Sequence, residues 1–335
     1  MDGDQGCVGF GTMLLKESCE AAVSSALEHG IRIIDTGEHY ENLELVGKGL
    51  AKNSEFAFVV TKLSGLPSGD YEAVKTRMQA MLTKLGIEVA PLCLIHWPGL
   101  CTWDVTDSSP LESPEAFAEK QTTSWEGFKA HIASAWANMS RLKEDRLVSE
   151  IGTSNFYPHH LAELALQCDG AKPYANEIFI DATNQEVEFV TEMQSRGIKV
   201  LAYRPVRYPF PESVETLAAR HGVSKQTVVF AWLCGRGIFP LVKCRGEHIE
   251  ENVQAPKELQ AKLTPEDMAE IGAAEVGIRK GSEWFAKIWS AHNETGPNEE
   301  DIAQLVMFGV DEARAREVLE KCSGNMELAM DMAFA

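Results

Sequence analysis

The sequence predicts an α/β protein built as a (β/α)8 barrel, the TIM-barrel architecture, and three observations support that fold class. Eight short apolar or β-branched segments alternate with longer helical patterns, the order typical of parallel βα units. All eight units fit within about 280 residues, a span that suits a barrel of this kind. No Gly-x-Gly-x-x-Gly turn follows the first candidate strand, so an open doubly wound sheet is the less favoured alternative.

The elements follow one another in a regular order along the chain. Helical patterns separate the strands, and three of them close at Gly30, Gly86 and Gly197, as expected for helix C-termini. The connection from Gly99 to Thr123 is rich in Ser, Pro and acidic residues and is too long for a simple loop, which predicts a lid over the barrel. The candidate strands are residues 7–11, 31–35, 56–62, 92–96, 148–153, 174–179, 199–204 and 238–243.

Composition excludes several classes of function. The 335 residues carry a formal net charge of −19, which argues against binding to nucleic acid or to an anionic membrane surface. The eight cysteines occur singly, with no zinc-type spacing, so we expect a reducing compartment and no metal site. The acidic start "MDGDQG" lacks the apolar region of a signal peptide, and no run reaches the ~20 apolar residues of a membrane span. A cytoplasmic protein is expected.

The composition changes near the end of the chain. Residues 1–289 are predicted to form the barrel domain, and the polar, Gly- and Pro-containing residues 290–298 to form a linker. Residues 299–335 hold three short amphipathic patterns, which predict a small three-helix domain.

Four polar residues stand where strands two, three and four are predicted to end. Asp35 closes strand two, Tyr40 follows on its loop, Lys62 closes strand three and His96 closes strand four. Taken singly, each has an ordinary explanation: a cap, a lysine that extends to solvent, or a histidine satisfied in the core. Active sites of (β/α)8 barrels lie at the C-terminal ends of the strands, so the four are expected to converge.

The chain resembles the aldo-keto reductases. The segments that carry this resemblance appear in the family's order and span nearly all of the barrel. They are "GFGTM" (9–13), "IIDTGEHYENLELVG" (33–47), "VVTKL" (59–63), "LIHWPG" (94–99), "IGTSNF" (151–156) and "AYRPV" (202–206). The resemblance implies that Asp35, Tyr40, Lys62 and His96 form a catalytic tetrad that reduces an aldehyde or ketone to an alcohol.

The chemistry of these side chains fits that role. A free tyrosine titrates near 10, so the neighbouring ammonium of Lys62 is expected to lower the pKa of Tyr40. Asp35 would hold Lys62 charged, and His96 would orient the carbonyl oxygen. Tyr40 would then protonate that oxygen as a general acid. The hydride must come from a nicotinamide, because no side chain can supply it.

By resemblance the cofactor is NADP(H), with NAD(H) as the alternative, and the substrate is a small carbonyl compound. Ser154 and Asn155 match residues that hold the nicotinamide amide, and Tyr203 matches the ring that stacks on it. Met13 and Trp97 are expected to border the substrate, although a buried core position is an equal alternative for Trp97. The implied cofactor-binding residues are Thr12, Met13, Ser154, Asn155, Glu177, Tyr203, Lys243, Glu251 and Asn252.

The chain also departs from the family's pattern. Glu177 stands where a Gln is usual, and an ionised carboxylate can only accept hydrogen bonds. Arg204 replaces a small Ser, and Met13 replaces a common pocket Trp. His248 falls near the position of a phosphate-binding Arg, which leaves the choice between NADP and NAD open. A barrel that turns over weakly or not at all, and serves as an adaptor, is the alternative function.

The tail resembles a ubiquitin-associated (UBA) domain over its full length. The resemblance rests on Ile302, Leu305, the "FGV" loop and the segment "SGNMELA". It implies that Phe308, Gly309 and Val310 contact a partner, ubiquitin being the partner of the family. The alternative is that these apolar residues only fill the core of a very small domain.

Overall fold

The computed structural model describes residues 6–53, 57–99, 125–206, 210–243, 248–275, 302, 305–306 and 310–321. The chain divides into two compact units. One comprises Met1–Pro98 with Ile132–Gly277, and the other comprises Gly99–His131 with Ile278–Ala335. The limits 1–289, 290–298 and 299–335 stay a prediction, because residues 276–300 lie outside the described ranges.

Eight parallel strands close into a barrel in the order of the sequence, which confirms the predicted (β/α)8 fold. Each strand pairs with its neighbours along the chain, and β1 also pairs with β8 to complete the ring. The strands are β1 (Gly9–Gly11), β2 (Ile33–Asp35), β3 (Phe58–Leu63), β4 (Ala90–Ile95), β5 (Val148–Ser154), β6 (Ala175–Phe179), β7 (Lys199–Tyr203) and β8 (Ile238–Val242).

Helices connect the strands and continue after the last one. Those described around the barrel are α1 (Cys19–Glu28), α2 (Leu43–Ala51), α3 (Tyr71–Leu85), α4 (Trp125–Glu144), α5 (Pro158–Gln167), α6 (Val187–Ser195), α7 (Glu212–His221), α8 (Lys225–Gly235), α9 (His248–Gln260) and α10 (Pro265–Gly272). Short 3₁₀ turns occupy Lys16–Ser18 and Glu38–Tyr40.

Several element boundaries differ from the prediction, and local hydrogen bonds explain one of them. Strand β2 begins at Ile33 rather than Ile31, because the amide of Ile31 donates to the carbonyl of Ala26 and still closes α1. Helix α3 ends where expected: Gly86 follows it at φ +67°, a left-handed conformation that glycine adopts without strain.

The barrel interior below the strand ends is apolar. Its inner layer comprises Ile33, Phe58, Val60, Leu92, Leu94, Ala175, Leu201 and Leu241. Gly152 of β5 leaves room for this layer, since a Cβ there would lie 2.7 Å from Leu94 Cδ2 and 2.5 Å from the carbonyl oxygen of Ala175. A closely packed floor therefore underlies the polar ends of the strands.

The described part of the tail contains one complete helix. Helix α11 (Glu312–Lys321) buries Ala315, Val318 and Leu319 and exposes Glu312 and Glu317. Ile302, Leu305 and Val310 are also buried. Phe308 and Gly309, which were assigned to partner contact, lie outside the described residues.

Within the described ranges, no helix has both the length and the apolar character that crossing a membrane requires. Among the same residues, no group of three or more His, Cys, Asp or Glu side chains is placed to hold a metal ion.

Candidate active site

The polar residues at the barrel mouth lie one step beyond the apolar floor. Side chains alternate along a strand, so a residue two positions after an inward-facing one also faces inward. Asp35, Lys62 and Glu177 each follow a member of the inner layer by two positions. His96, Ser154 and Tyr203 continue β4, β5 and β7 in the same way. The alternation of the strands thus places one polar ring directly above the floor.

Lys62 is the centre of this ring. Its side chain is fully buried, and its ammonium forms an ion pair with Asp35 Oδ1. The same ammonium lies 3.1 Å from Glu177 Oε2 and 3.4 Å from the hydroxyl oxygen of Tyr40. The structure therefore brings Asp35, Tyr40 and Lys62 together as predicted and adds Glu177 to the group.

Tyr40 reaches the site from the 3₁₀ turn Glu38–Tyr40. The Lys62 ammonium lies 5.3 Å from the centroid of its ring, and the ring of His96 meets it edge-on with centroids 5.8 Å apart. Gly37 makes this position accessible, since a Cβ there would lie 3.3 Å from Tyr40 Cε1. On the other side of the turn, Asn42 Nδ2 donates to the carbonyl of Thr12 at 2.7 Å. All four predicted tetrad members thus lie in one cluster, in which Asp35, Lys62 and His96 are buried and Tyr40 is half-buried.

Burial dominates the protonation of the site. Burial raises the pKa of Tyr40 above its usual value, and although Lys62 acts to lower that pKa as expected, its effect is the smaller of the two. Burial, with the charge of Lys62, holds the pKa of His96 well below its usual value. Tyr40 therefore carries its proton as a neutral phenol, and His96 is a neutral imidazole at physiological pH.

Burial and the Lys62 ammonium act in opposite directions on the pKa values of the two carboxyl groups beside Lys62. Burial raises the pKa of Asp35, although Lys62 acts against it. Burial and then the charge of Asp35 raise the pKa of Glu177 to about 8. The carboxylates in turn keep the pKa of Lys62 above its usual value, although burial acts to lower it. Lys62 is therefore a permanent cation at this site.

Ser154, Asn155 and Tyr203 form a second polar group beside the tetrad. Asn155 Nδ2 donates to the carbonyl of His96 at 3.0 Å, and the Tyr203 hydroxyl donates to Asn155 Oδ1 at 2.8 Å. Ser154 Oγ donates to the carbonyl of Glu177 at 3.0 Å. Asn155 has φ +61°, a left-handed conformation that asparagine tolerates better than most residues. An aromatic ring and fixed amide and hydroxyl groups at the barrel mouth suit a nicotinamide with its carboxamide.

The remaining predicted residues are placed as follows. Thr12 is fully buried and its hydroxyl donates to the carbonyl of Asp35 at 2.9 Å, while Met13 beside it is half-buried. Trp97 is buried and its ring centroid lies 6.1 Å from that of His96. An exposed Lys243 follows β8, and α9 carries the exposed Glu251 and the buried Asn252. Their roles toward cofactor or substrate stay predictions, and the side chain of His248 lies outside the described residues.

Two site features were missed from the sequence. The assignment of Glu177 to cofactor contact stays a prediction, and the 3.1 Å contact of its carboxyl with the Lys62 ammonium was not predicted. The signal was present, since Glu177 stands two residues beyond the buried Ala175 and therefore faces inward. Glu38 was given no role, yet it joins the Tyr40 turn to Arg77 of α3. No local signal pairs residues so far apart along the chain.

Known proteins are similar to this chain in both sequence and architecture. The sequence profile described as "Aldo/keto reductase family" matches residues 7–212. The uncharacterized oxidoreductase YtbE of Bacillus subtilis (strain 168) is 26% identical over 289 residues, covering 82% of this chain and 90% of the relative. Aldehyde reductase YPR1 of Saccharomyces cerevisiae is 30% identical over 251 residues, covering 70% and 78%. The crystal structure of Bombyx mori aldo-keto reductase in complex with NADP superposes with a TM-score of 0.67 at 28% identity, covering 82% of this chain and 90% of that one.

The chain belongs to the aldo/keto reductase family, because the profile spans more than half of it and the barrel carries the same fold. It is an oxidoreductase of that family, and the cofactor held by its Bombyx mori relative is NADP.

Proposed function

We propose that the barrel reduces an aldehyde or ketone to an alcohol with NADPH, and that Tyr40 is the general acid. One observation carries this proposal: the Tyr40 hydroxyl lies 3.4 Å from the ammonium of Lys62, in one cluster with the buried Asp35 and His96. A phenol beside a permanent cation can give up its proton when negative charge develops on a neighbouring oxygen.

The second polar group is the proposed site of the nicotinamide, which supplies the hydride when bound. Tyr203 offers an aromatic face, and Ser154 and Asn155 offer hydrogen-bonding groups to a carboxamide. The hydrogen bond from Asn155 to the carbonyl of His96 fixes this group relative to the tetrad.

Proton transfer follows from the charges of the chain's own residues. The neutral His96 hydrogen-bonds to the carbonyl oxygen and orients it toward the Tyr40 hydroxyl. Tyr40 donates its proton to that oxygen as hydride adds to the carbon, so the carbonyl gains one hydride and one proton. Lys62 stabilises the phenolate that remains, and Asp35 holds Lys62 in place.

The relatives favour this reaction and this cofactor. One relative is named an aldehyde reductase, and the Bombyx mori structure is in complex with NADP. The exposed Lys243 after β8 is the cation we assign to the adenosine phosphate, and we assign Thr12, Glu251 and Asn252 to the cofactor as well. Binding titrations with NADPH and NADH test this choice: a Lys243→Met variant should lose affinity for NADPH and keep its affinity for NADH.

Loss of NADPH absorbance with a panel of simple aldehydes tests the catalytic assignment. Tyr40→Phe should lower kcat by about 10²- to 10⁴-fold, the range ascribed to one positioned acid. Tyr174→Phe is the matched control, because Tyr174 precedes β6 at the opposite end of the strand and packs against Phe58. Equal turnover by the wild type and Tyr40→Phe would contradict the assignment. No turnover by any of the three would favour the alternative, a barrel that serves as an adaptor.

A second proposal concerns the tail. We propose that residues 299–335 form a UBA-like three-helix domain after the linker 290–298, and that it binds ubiquitin through Phe308, Gly309 and Val310. The amphipathic α11, with Val318 and Leu319 buried, supports a small helical core. Retention on immobilised ubiquitin should fall in Phe308→Ala and persist in the control Ala313→Ser, which changes an exposed position of α11. Wild-type protein that is not retained would contradict ubiquitin as the partner.

The proposed location is the cytoplasm. Cys7, Cys19, Cys93, Cys168 and Cys234 carry free thiols, as is usual in a reducing compartment.

A further inference from the structure

Two carboxyl groups share one cation in the proposed active site. The ammonium of Lys62 forms an ion pair with Asp35 and lies 3.1 Å from Glu177 Oε2. The side chains of Asp35 and Glu177 are 5% and 4% exposed, and that of Lys62 is not exposed at all. If both carboxyls were ionised, the group would carry one uncompensated negative charge out of contact with water.

Among the residues that the structure describes, Lys62 is the one cation recorded against Glu177. The register partner of Glu177 on β5 is Ser154, and its partner on β7 is the apolar Leu201. The ionisable groups that act most strongly on Glu177 are Asp35 and Lys62, and the charge of Glu177 acts in turn on Tyr40, whose hydroxyl lies 3.4 Å from the Lys62 ammonium. Tyr203, two residues beyond Leu201, donates its hydroxyl to Asn155.

An uncompensated charge in such a site is removed by proton uptake, because burying it costs far more than binding a proton. Asp35 has the closer contact with the ammonium and so is the better stabilised anion. Glu177 is the more distant of the two, and burial together with the charge of Asp35 raises its pKa to about 8. The proton therefore belongs on Glu177.

We propose that Glu177 is a positioning residue that holds a proton in the active form of the enzyme, and that losing this proton weakens acid catalysis by Tyr40. The proposal rests on the proposed function, in which Lys62 stabilises the Tyr40 phenolate. With Glu177 neutral, the charge of Lys62 is opposed only by Asp35. With Glu177 ionised, a second anion 3.1 Å from the ammonium opposes the development of negative charge on Tyr40. Glu177 keeps its proton throughout the cycle, so the proton that the alcohol gains still comes from Tyr40.

Infrared difference spectra of the cofactor-free protein test the protonation directly. The carbonyl band of an un-ionised carboxyl group should disappear between about pH 7 and about pH 9 in the wild type. That band should be missing in Glu177→Gln, a variant with nearly the same shape and no titrating proton. The control is Glu150→Gln, which alters a partly exposed carboxylate paired with Lys143 and should leave the band in place. A band that persists in Glu177→Gln, or one never seen in the wild type, would overturn the proposal.

The pH profile of turnover tests the catalytic consequence. In single-turnover reactions with NADPH, the rate of the wild type should fall by up to about tenfold for each pH unit above the midpoint of the infrared titration. The rate of Glu177→Gln should stay level over the same interval, because its side chain cannot ionise. Turnover with identical pH profiles in both proteins would overturn the role of Glu177 and leave the assignment of Tyr40 standing. If the infrared band titrates but the protein shows no turnover, the proposed reduction would be contradicted, while the proton would still be assigned to Glu177.

Discussion

The guanidinium of Arg77 donates two hydrogen bonds to the carboxylate of Glu38, from Nε to Oε1 at 2.9 Å and from Nη2 to Oε2 at 2.6 Å. The backbone amide of Ser64 donates a third, at 3.0 Å to Oε2, and Nη2 also donates to the carbonyl of Ser64 at 3.2 Å. Glu38 begins the 3₁₀ turn that ends at Tyr40. This arrangement ties the turn that carries the proposed acid to α3 and to the end of β3.

Breaking this pair should therefore reduce both stability and turnover. Glu38→Gln leaves Arg77 without its anion, and we expect the free energy of unfolding to fall by about 1–3 kcal/mol, less than for a fully buried pair because both side chains retain some exposure. The value of kcat should fall while KM for NADPH stays near the wild-type value, since the cofactor groups lie on other strands. Urea denaturation and steady-state kinetics measure the two effects. Glu72→Gln is the control, because it alters an exposed residue on α3, the helix that carries Arg77.

The loss of stability in Glu38→Gln should also depend on pH, in a direction set by the pKa of Glu38. Burial acts to raise the pKa of Glu38, but the hydrogen bonds and charge of Arg77 hold it below the usual value of 4.5. A group whose pKa is lower in the folded state than in the unfolded state stabilises the protein at pH values above its unfolded-state pKa. This stabilisation is lost as the pH falls through the folded-state pKa. The difference in unfolding free energy between wild type and Glu38→Gln should thus be full above about pH 4.5 and shrink in acid. A difference that grows in acid would contradict the pairing.

The barrel and its polar ring could be predicted because they depend on local pattern. Alternation of apolar strands and helical segments predicted eight units, and the end of each strand marked Asp35, Lys62 and His96. The period of two that orients side chains in a strand also places Glu177 inward, although its contact with Lys62 was not predicted.

Other features depended on interactions that no local pattern records. Tyr40 was expected to have a lowered pKa from its neighbour Lys62, but the pKa is raised because the depth of burial is decided by the whole barrel. The Glu38–Arg77 pair joins two elements that only the folded chain brings together. Strand limits shifted for a similar reason, since pairing with neighbouring strands decides where each one begins.

Removing the central cation should produce a defect that depends on pH. Lys62→Met leaves Asp35 and Glu177 buried without a counter-charge, and turnover should fall at least about 10²-fold. The free energy of unfolding should fall by about 3–5 kcal/mol near neutral pH, the cost of an uncompensated buried charge. Without the ammonium the pKa values of both carboxyls rise further, so the folded variant is favoured at low pH and loses stability as the pH rises.

Denaturation at several pH values measures this defect. The stability gap between wild type and Lys62→Met should be narrowest in acid, where both carboxyls are neutral. The double variant Lys62→Met, Asp35→Asn should recover part of the loss near neutral pH, because one of the two stranded carboxyls is gone. A gap of constant size across the pH range would show that packing, rather than charge, causes the defect.

Two substitutions at Asn155 can separate the effect of its backbone conformation from the effect of its side chain. Its side chain bonds to His96, Ser154 and Tyr203, and its φ is +61°. Asn155→Ala and Asn155→Gly both remove these hydrogen bonds, and both should raise KM for NADPH. Glycine accepts the left-handed conformation, so Asn155→Ala should be less stable than Asn155→Gly by about 1–2 kcal/mol. Thermal or urea unfolding of the pair measures the difference, and equal stabilities would contradict a strained conformation at this position.

Gly152 tests how closely the apolar floor supports the polar ring. A Cβ there would lie 2.5 Å from the carbonyl oxygen of Ala175 and 2.7 Å from Leu94 Cδ2, and Ala175 stands two residues before Glu177 on β6. Gly152→Ala should therefore lower the free energy of unfolding by about 1–3 kcal/mol, as overpacking of a core does. It should also lower kcat, because β6 must shift to relieve the contact. Gly272→Ala is the matched control, since a Cβ at the end of α10 meets nothing within 4 Å; it should leave kcat unchanged and raise the free energy of unfolding by at most about 1 kcal/mol, as alanine does in place of a helical glycine. A free energy of unfolding equal to that of the wild type in Gly152→Ala would contradict close packing of the apolar floor at this position.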